Sequence, residues 1–302
     1  MIKVSALVVT HNRPELLKQN INALMSQKKP SLSSIIIVAN QVDPYTERFL
    51  KDESKKNKKI IVIWSDKNLG GAGGFNLGIR TFIEKSNNDF IWIMDDDTIP
   101  KSNALNVLNI AAEKYKDFSF LISKVLWRDG TLSLMNVVGG PNKKTTADYN
   151  NQNGEVDKGT FVSILIPRAA ILLAGLPQKE YFIWGDDMEY TERIKRETKQ
   201  PAYYVGQSVV VHMSTKNLAP GSLLYETDLN RLNRINVEYR NRILTSRRRK
   251  SILQIVRTLG HNIIDLFKTL FYPHVFKRFK KAGGIVKGTI NGFVFNPPIE
   301  KI

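Results

Sequence analysis

The 302-residue sequence contains no cysteine. That absence removes disulfide frameworks, thiolate nucleophiles and sulfur-rich zinc or iron centres together, so any bound metal must be held by oxygen and imidazole ligands. Histidine is scarce too, at four residues, which leaves carboxylates as the main candidate ligands. Long apolar runs are missing from the C-terminal part. In residues 251–272, Arg257, Asp265 and Lys268 interrupt the roughly 18 uncharged residues that a membrane-crossing helix requires. The apolar N-terminal run ends at His11 and Arg13 without a small-residue cleavage pattern, which predicts a first strand rather than a signal peptide, and a cytoplasmic protein.

Negative charge is the other deficit. There are 28 Asp and Glu against 45 Lys and Arg, a formal net charge of +17. Such a balance points to an anionic partner, whether nucleotide phosphates, nucleic acid or an anionic membrane surface. The excess is concentrated: from Arg242 to Ile302, 13 Lys and Arg face only Asp265 and Glu300, so eleven of the seventeen net charges lie there.

What is present reads as a folded α/β protein of one large domain with a smaller appendage. The first hundred residues alternate short β-branched runs with amphipathic stretches, the pattern of βαβ units around a parallel sheet. The predicted strands are Val4–Thr10, Ser34–Asn40, 60–64 and 90–94. Over residues 13–27, Leu16, Leu17, Ile21 and Leu24 recur at helical spacing, with Pro14 near the start, where its missing N–H is tolerated. The pattern then predicts a helix over 102–115, a strand over 118–127, a polar loop over 139–158 suited to a mobile flap, and a strand over 160–166. A helix over Asp186–Thr198 and a strand over Ala202–His212 follow. A boundary near Thr215 divides residues 1–215, a large α/β domain, from residues 216–302, a basic and mainly helical region. There 223–250 reads as a polar helical segment and 251–272 as a helix with one apolar side.

Three adjacent carboxylates, Asp95, Asp96 and Asp97, follow the apolar run Phe90-Ile-Trp-Ile-Met94. Open α/β sheets bind ligands at the carboxyl ends of their strands, and three like charges packed there need a cation or strong donors. Alternate carboxylates suit a hard divalent ion that also grips a diphosphate; the plainer alternative is a solvated acidic turn. Upstream, Asn68-Leu-Gly-Gly-Ala-Gly-Gly-Phe75 follows the third strand. Its glycines let backbone approach a ligand, and a helix beginning near Gly73 offers free N–H groups to an anion, although a loop needed only for packing would look alike. The segment matches neither the dinucleotide fingerprint nor the P-loop. A second acidic pair, Asp186 and Asp187, opens a predicted helix. Acidic residues there are ordinary caps, but beside a metal-type triplet they become candidates for a catalytic base. Glu189 and Arg193, four residues apart, suit a helix-surface pair. His212 ends an apolar run; a structural histidine is the default, whereas with two Asp oxygens and a diphosphate one imidazole helps complete an octahedral site.

In combination these residues resemble family 2 glycosyltransferases, the inverting group with the GT-A fold. Leu7-Val-Val-Thr-His-Asn-Arg-Pro-Glu-Leu-Leu17 resembles the family's opening, and the glycine-rich segment, the Asp triplet, Trp184-Gly-Asp-Asp-Met-Glu189 and His212 follow in the family's order. The glycine-rich segment and the Trp-x-Asp-Asp-x-Glu form are most similar to bacterial galactofuranosyltransferases, with rhamnosyltransferases close behind. The resemblance implies a Rossmann-like, mostly parallel sheet flanked by helices, with a C-terminal helical extension. It implies that Thr10, Asn12, Arg13 and Asn40 line a nucleoside pocket, that Asn68, Gly71, Gly73 and Gly74 approach the donor, and that Asp95 and Asp96 lie on the nucleoside side. Asp97 and His212, together with Asp95, would hold Mn2+ or Mg2+. Asp187 would be the base, Asp186 would position hydroxyls, and Trp184 and Glu189 would face the acceptor. His11 departs from the Tyr of many relatives.

The implied activity is inverting transfer of galactofuranose from UDP-galactofuranose to a hydroxyl of a glycan or lipid-linked oligosaccharide, in synthesis of a cell-surface polysaccharide such as capsule or O-antigen; dTDP-rhamnose is the alternative donor. The basic tail suits peripheral contact with the anionic inner face of the plasma membrane as well as it suits a helical subdomain with a homo-oligomer contact. A nucleic-acid-binding protein, suggested by the charge and by Arg247-Arg-Arg-Lys250, would leave the acidic clusters unexplained, so no nucleic-acid partner is expected. A nucleotidyltransferase would carry a basic, glycine-rich signature near the N-terminus, which is missing.

Overall fold

A computed structural model describes residues 2–28, 32–219 and 225–302. Leu223, where the polar helical segment is expected to begin, lies outside them. The N-terminal half is laid down as β1 (Val4–Thr10), α1 (Pro14–Met25), β2 (Ser34–Asn40), α2 (Pro44–Lys56), β3 (Ile60–Ser65), α3 (Gly70–Lys85) and β4 (Phe90–Asp95). These four strands pair in parallel, β1 lying between β2 and β4. Every residue of β1 is buried, as a central strand covered on both faces must be. Its side chains alternate between two cores. Ala6 and Val8 meet Leu17, Ile21 and Leu24 of α1, while Leu7 and Val9 meet Phe75, Ile79 and Phe82 of α3. Helix α3 lies directly on β1 because Gly74 and Gly78 lack side chains: a Cβ there would come 2.5 Å from Val9 Cγ1 and 2.2 Å from Leu7 Cδ1. Helix α2 was not among the sequence expectations; it buries only Thr46 and Leu50, too few to mark a helical period.

The second half adds β5 (Thr98–Pro100), α4 (Ala104–Tyr115), β6 (Leu121–Trp127), α5 (Thr146–Tyr149), β7 (Gly154–Val156), β8 (Ile164–Pro167), α6 (Arg168–Ala174), α7 (Asp186–Thr198) and β9 (Ala202–His212). The result is one mixed sheet of order β3-β2-β1-β4-β8-β6-β9-β5, with β7 also on β9. Two expectations change. The strand expected over 160–166 begins only at Ile164. Residues 139–158 are a built segment rather than an open flap: Thr145 and Asp148 cap α5 reciprocally, β7 extends the sheet, and Tyr204 Oη donates to the Asn150 carbonyl at 2.6 Å.

Among the described residues, four helices follow: α8 (Leu229–Leu232), α9 (Ile235–Arg248), α10 (Ile252–Phe271) and α11 (Arg278–Val294). A glycine stripe lets α11 lie close along α9, since a Cβ at Gly288 would sit 2.4 Å from the Asn236 carbonyl oxygen and one at Gly292 would sit 2.5 Å from Ile243 Cβ. The final residues return to the sheet domain. There Glu300 Oε2 accepts from Arg80 at 2.9 Å and Asn76 at 3.0 Å. Among the described residues no helix is long and apolar enough to cross a membrane.

Candidate active site

The Asp triplet closes β4, and its geometry follows from the strand that comes next. Short β5 pairs antiparallel with β9 so that Thr98 faces His212, and Met213 N–H donates to the Asp97 carbonyl at 2.8 Å. His212 Nε2 therefore stands 3.3 Å from Asp97 Oδ1. The ligand atoms of Asp95, Asp97 and His212 all lie within 4.8 Å of one another. Asn136 Oδ1 lies 3.3 Å from the other imidazole nitrogen and fixes the ring, a role with no signal in the sequence. Asn20, buried on α1, donates to the Thr98 carbonyl at 2.6 Å and anchors the turn; a polar residue on an otherwise apolar helix face was a readable clue to it.

Residues from the ends of β1, β2 and β3 surround the triplet. Thr10 Oγ1 donates to Asp96 at 2.8 Å, and the Arg13 guanidinium reaches Asp97 at 2.7 Å and Asp96 at 3.6 Å. Asn40 Oδ1 accepts from Leu69 N–H at 2.8 Å and its Nδ2 donates to the Gly70 carbonyl at 3.1 Å; Asn68 Oδ1 accepts from Gly70 N–H at 2.9 Å. Asn12 accepts from Asp43 N–H at 2.6 Å, and His11 Nδ1 lies 2.8 Å from the Asn40 carbonyl oxygen. Helix α3 starts at Gly70, ahead of the expected Gly73, and Gly70 itself takes a φ of +69°, a left-handed turn conformation that glycine adopts freely. The glycines differ in surroundings. Gly71 borders open space, Gly73 lies against Leu69 and Lys179, and Gly74 rests on Val9.

The second acidic pair starts α7, behind a loop with Phe182, Trp184 and Gly185 at φ of 62°, 65° and 85°. The loop is pinned from α9. Asn241 Nδ2, fully buried, donates to the carbonyls of Tyr181, Ile183 and Trp184 at 3.0, 3.0 and 2.9 Å. Arg240 in turn donates to Asn241 Oδ1 at 2.8 Å and to the Glu180 carbonyl at 2.8 Å. Neither residue was singled out in the sequence, where the segment is merely polar. Trp184 stays half-buried beside Asp186, with the Arg231 guanidinium 5.6 Å from its ring centroid. Glu189 departs from its acceptor-side reading. It is buried, and both its oxygens accept from Arg193, at 2.8 and 2.9 Å. The pair is not on the surface either, because Arg193 also donates to the carbonyls of Ala174 and Leu176 inside the fold.

Burial of so many carboxylates shapes their acidity. Burial, then the neighbouring Asp97, pushes Asp95 up to about 7. Burial lifts Asp96 to about 6 against the pull of Arg13. Burial works against Asp97 as well, but His212 and Arg13 win and hold it below the usual carboxylate range. His212, lowered by burial, is raised overall by Asp97 and Asp95. Asp186 is driven well up by burial and Asp187, and Asp95 adds to the push, so the two acidic clusters share one field. Burial takes Asp187 to about 6, opposed by the Met188 N–H and by Lys158.

Comparison with known proteins matches these features to a family. The profile described as Glycosyl transferase family 2 matches residues 5–157, half of the chain, including Thr10, the glycine-rich turn and the Asp triplet. The chain belongs to glycosyl transferase family 2. Within that family it is 28% identical over 214 residues to galactofuranosyltransferase GlfT1 of Mycolicibacterium smegmatis, covering 64% of this chain and 65% of that protein. It is 33% identical over 96 residues to dTDP-rhamnosyl transferase RfbF of Shigella flexneri, covering 32% of this chain and 30% of that one. The chain thus spans less than two thirds of the length of these relatives. The fold of this family 2 chain resembles that of GalNAc-T7 with UDP, GalNAc and Mn2+, with a TM-score of 0.61 at 13% identity over 82% of this chain and 48% of that one. S. aureus TarS 1-349 aligns with a TM-score of 0.59 at 11% identity over 95% of this chain and 81% of that one. These likenesses identify the architecture as GT-A.

Proposed function

We propose that this family 2 protein is an inverting glycosyltransferase that moves galactofuranose from UDP-galactofuranose to a hydroxyl of a glycan or lipid-linked oligosaccharide. The carrying observation is the convergence of Asp95, Asp97 and His212 on one point, with Asp186 close enough to feel Asp95. The residues fit a hard divalent cation. Oxygen and nitrogen ligands at about 2.0–2.4 Å from an ion lie no more than about 4.8 Å apart, and buried Asp97 Oδ1 faces His212 Nε2 at 3.3 Å, a spacing that two neighbouring ligands of one ion adopt. Asp95, Asp97 and His212 would hold Mn2+ or Mg2+, which when bound offsets charge on the departing nucleoside diphosphate.

The chain's own groups do the rest. Thr10, Asn12, Arg13, Asn40 and Asn68 frame the nucleoside side, and Gly71 at the start of α3 leaves backbone open to the donor phosphates. Asp187 accepts the acceptor hydroxyl proton as that oxygen bonds to the anomeric carbon and the bond to the diphosphate oxygen breaks. One displacement inverts the carbon. A base with a pKa of about 6 is ionised at neutral pH yet still basic enough to take a proton. Asp186 orients hydroxyls, and Trp184 offers an aromatic face to the acceptor sugar. In this reading residues 1–215 hold donor and metal, whereas residues 216–302 brace the acceptor side and meet the inner face of the plasma membrane, in capsule or O-antigen synthesis.

The galactofuranosyl donor is favoured by the relatedness to GlfT1, and RfbF supports dTDP-rhamnose as the second reading. A donor screen with UDP-galactofuranose, UDP-hexopyranoses and dTDP-rhamnose, read as nucleotide release with and without Mn2+, tests both. Release is expected from UDP-galactofuranose with metal present. Preference for dTDP-rhamnose selects the second reading, and release from no donor refutes sugar transfer.

A further inference from the structure

Helices α10 and α11 leave a broad apolar surface uncovered. Helix α10 buries Asn262 and Thr269 and turns hydrophobic residues outward: Leu253, Val256, Phe267 and Phe271 are 75%, 60%, 57% and 75% exposed. Helix α11 does the same with Phe279 at 79% and Ile290 at 62%. These positions recur at helical spacing, through Val256, Ile263, Phe267 and Phe271 on one helix and Phe279, Val286, Ile290 and Phe293 on the other. Each stripe lies opposite the face its helix packs with, the inverse of an ordinary core helix. A groove of about 620 Å³, lined by Leu266, Leu270, Val286 and Ile290 among others, joins the stripes.

The rim of this face is cationic, with Arg257, Lys268, Lys277, Lys280 and Lys287 all exposed. The two acids of the region are turned inward: Asp265 accepts from Tyr239 and Arg242, and Glu300 is held by Arg80 and Lys179. A two-fold contact between copies would set like charges against each other. A surface that is anionic outside and apolar beneath complements the face on both counts.

We infer that α10 and α11 form an interfacial docking face that sinks their apolar stripes among the headgroups of an anionic lipid bilayer. The flank of α10 carrying Gln254, Arg257, Thr258 and His261 lines a cavity of about 550 Å³ whose opposite wall includes Lys158 and Glu192. The cavity thus joins the docking helix to α7, the helix that Asp186 and Asp187 start. This deepens the proposal of a membrane-associated acceptor, but its test needs neither donor nor acceptor.

Full-length protein is floated with phosphatidylcholine vesicles with and without phosphatidylglycerol, alongside Phe267→Ser/Phe271→Ser/Ile290→Ser and Lys268→Glu/Lys287→Glu variants. Wild type is expected to float with the anionic vesicles only and to be released by high salt. Both variants should bind about tenfold more weakly or worse while keeping the wild-type Tm, because the altered side chains are exposed. Equal flotation of wild type with neutral vesicles would overturn the inference. So would wild-type affinity in the variants, or sedimentation showing that the Phe/Ile variant dissociates an oligomer while its vesicle binding is unchanged. None of these results bears on the donor screen, so failure here and failure of the sugar-transfer reading remain distinguishable.

Discussion

In the proposed mechanism the protonation state of Asp187 decides activity. Its pKa is raised to about 6, chiefly by burial, and only the carboxylate can accept a proton. Turnover should therefore fall about tenfold per pH unit below that value and level off above it. A kcat profile that stays flat between about pH 5 and pH 8 would exclude Asp187 as the base. Asp187→Asn should lower kcat by about 10²–10⁴-fold while calorimetry still detects donor binding. Glu189 behaves differently, because its carboxylate neutralises a buried guanidinium. Glu189→Gln is expected to cost about 3–5 kcal/mol of stability, seen as a lower urea midpoint, with acceptor KM little changed in the folded fraction.

At the scale of elements, the loop before α7 is the strained part. Phe182 and Trp184 sit at positive φ, a conformation that costs about 1–3 kcal/mol per residue and persists only where its surroundings enforce it. Asn241 on α9 supplies that enforcement through three carbonyls. Asn241→Ala should reduce kcat by about 10²-fold through misplacement of Asp186 and Asp187, leaving UDP affinity near wild type because Thr10, Asn40 and Asn68 stand on other elements. Asn241→Asp should do no better, since it replaces the donors with acceptors. A proportional loss of UDP binding in both variants would mean that the fold, not the loop, had failed. This dependence was not legible in the sequence. Residues 223–250 read only as polar and helical, and no local pattern reveals that one amide in them reaches a loop some sixty residues earlier.

Across the whole molecule, the C-terminal residues tie the helical region to the sheet domain. Glu300 bonds Arg80 and Asn76 of α3, and the carbonyls of Phe295 and Pro297 accept from Arg247 and Arg248 of α9. Deleting residues 296–302 should lower Tm by about 2–4 °C for each kcal/mol lost, measurable by calorimetry. By itself the sequence determined the α/β character, the strand-end position of the Asp triplet and the helix-start position of the acidic pair. Hydrophobic period and capping chemistry are local, so a short window carries them. Tertiary structure alone decided which groups meet. Pairing of β5 with β9 brings His212 to Asp97, and the inward turn of α7 buries Glu189 against Arg193. It also sets the outward turn of α10, because a helical stripe in sequence specifies an apolar side but not whether protein or lipid covers it.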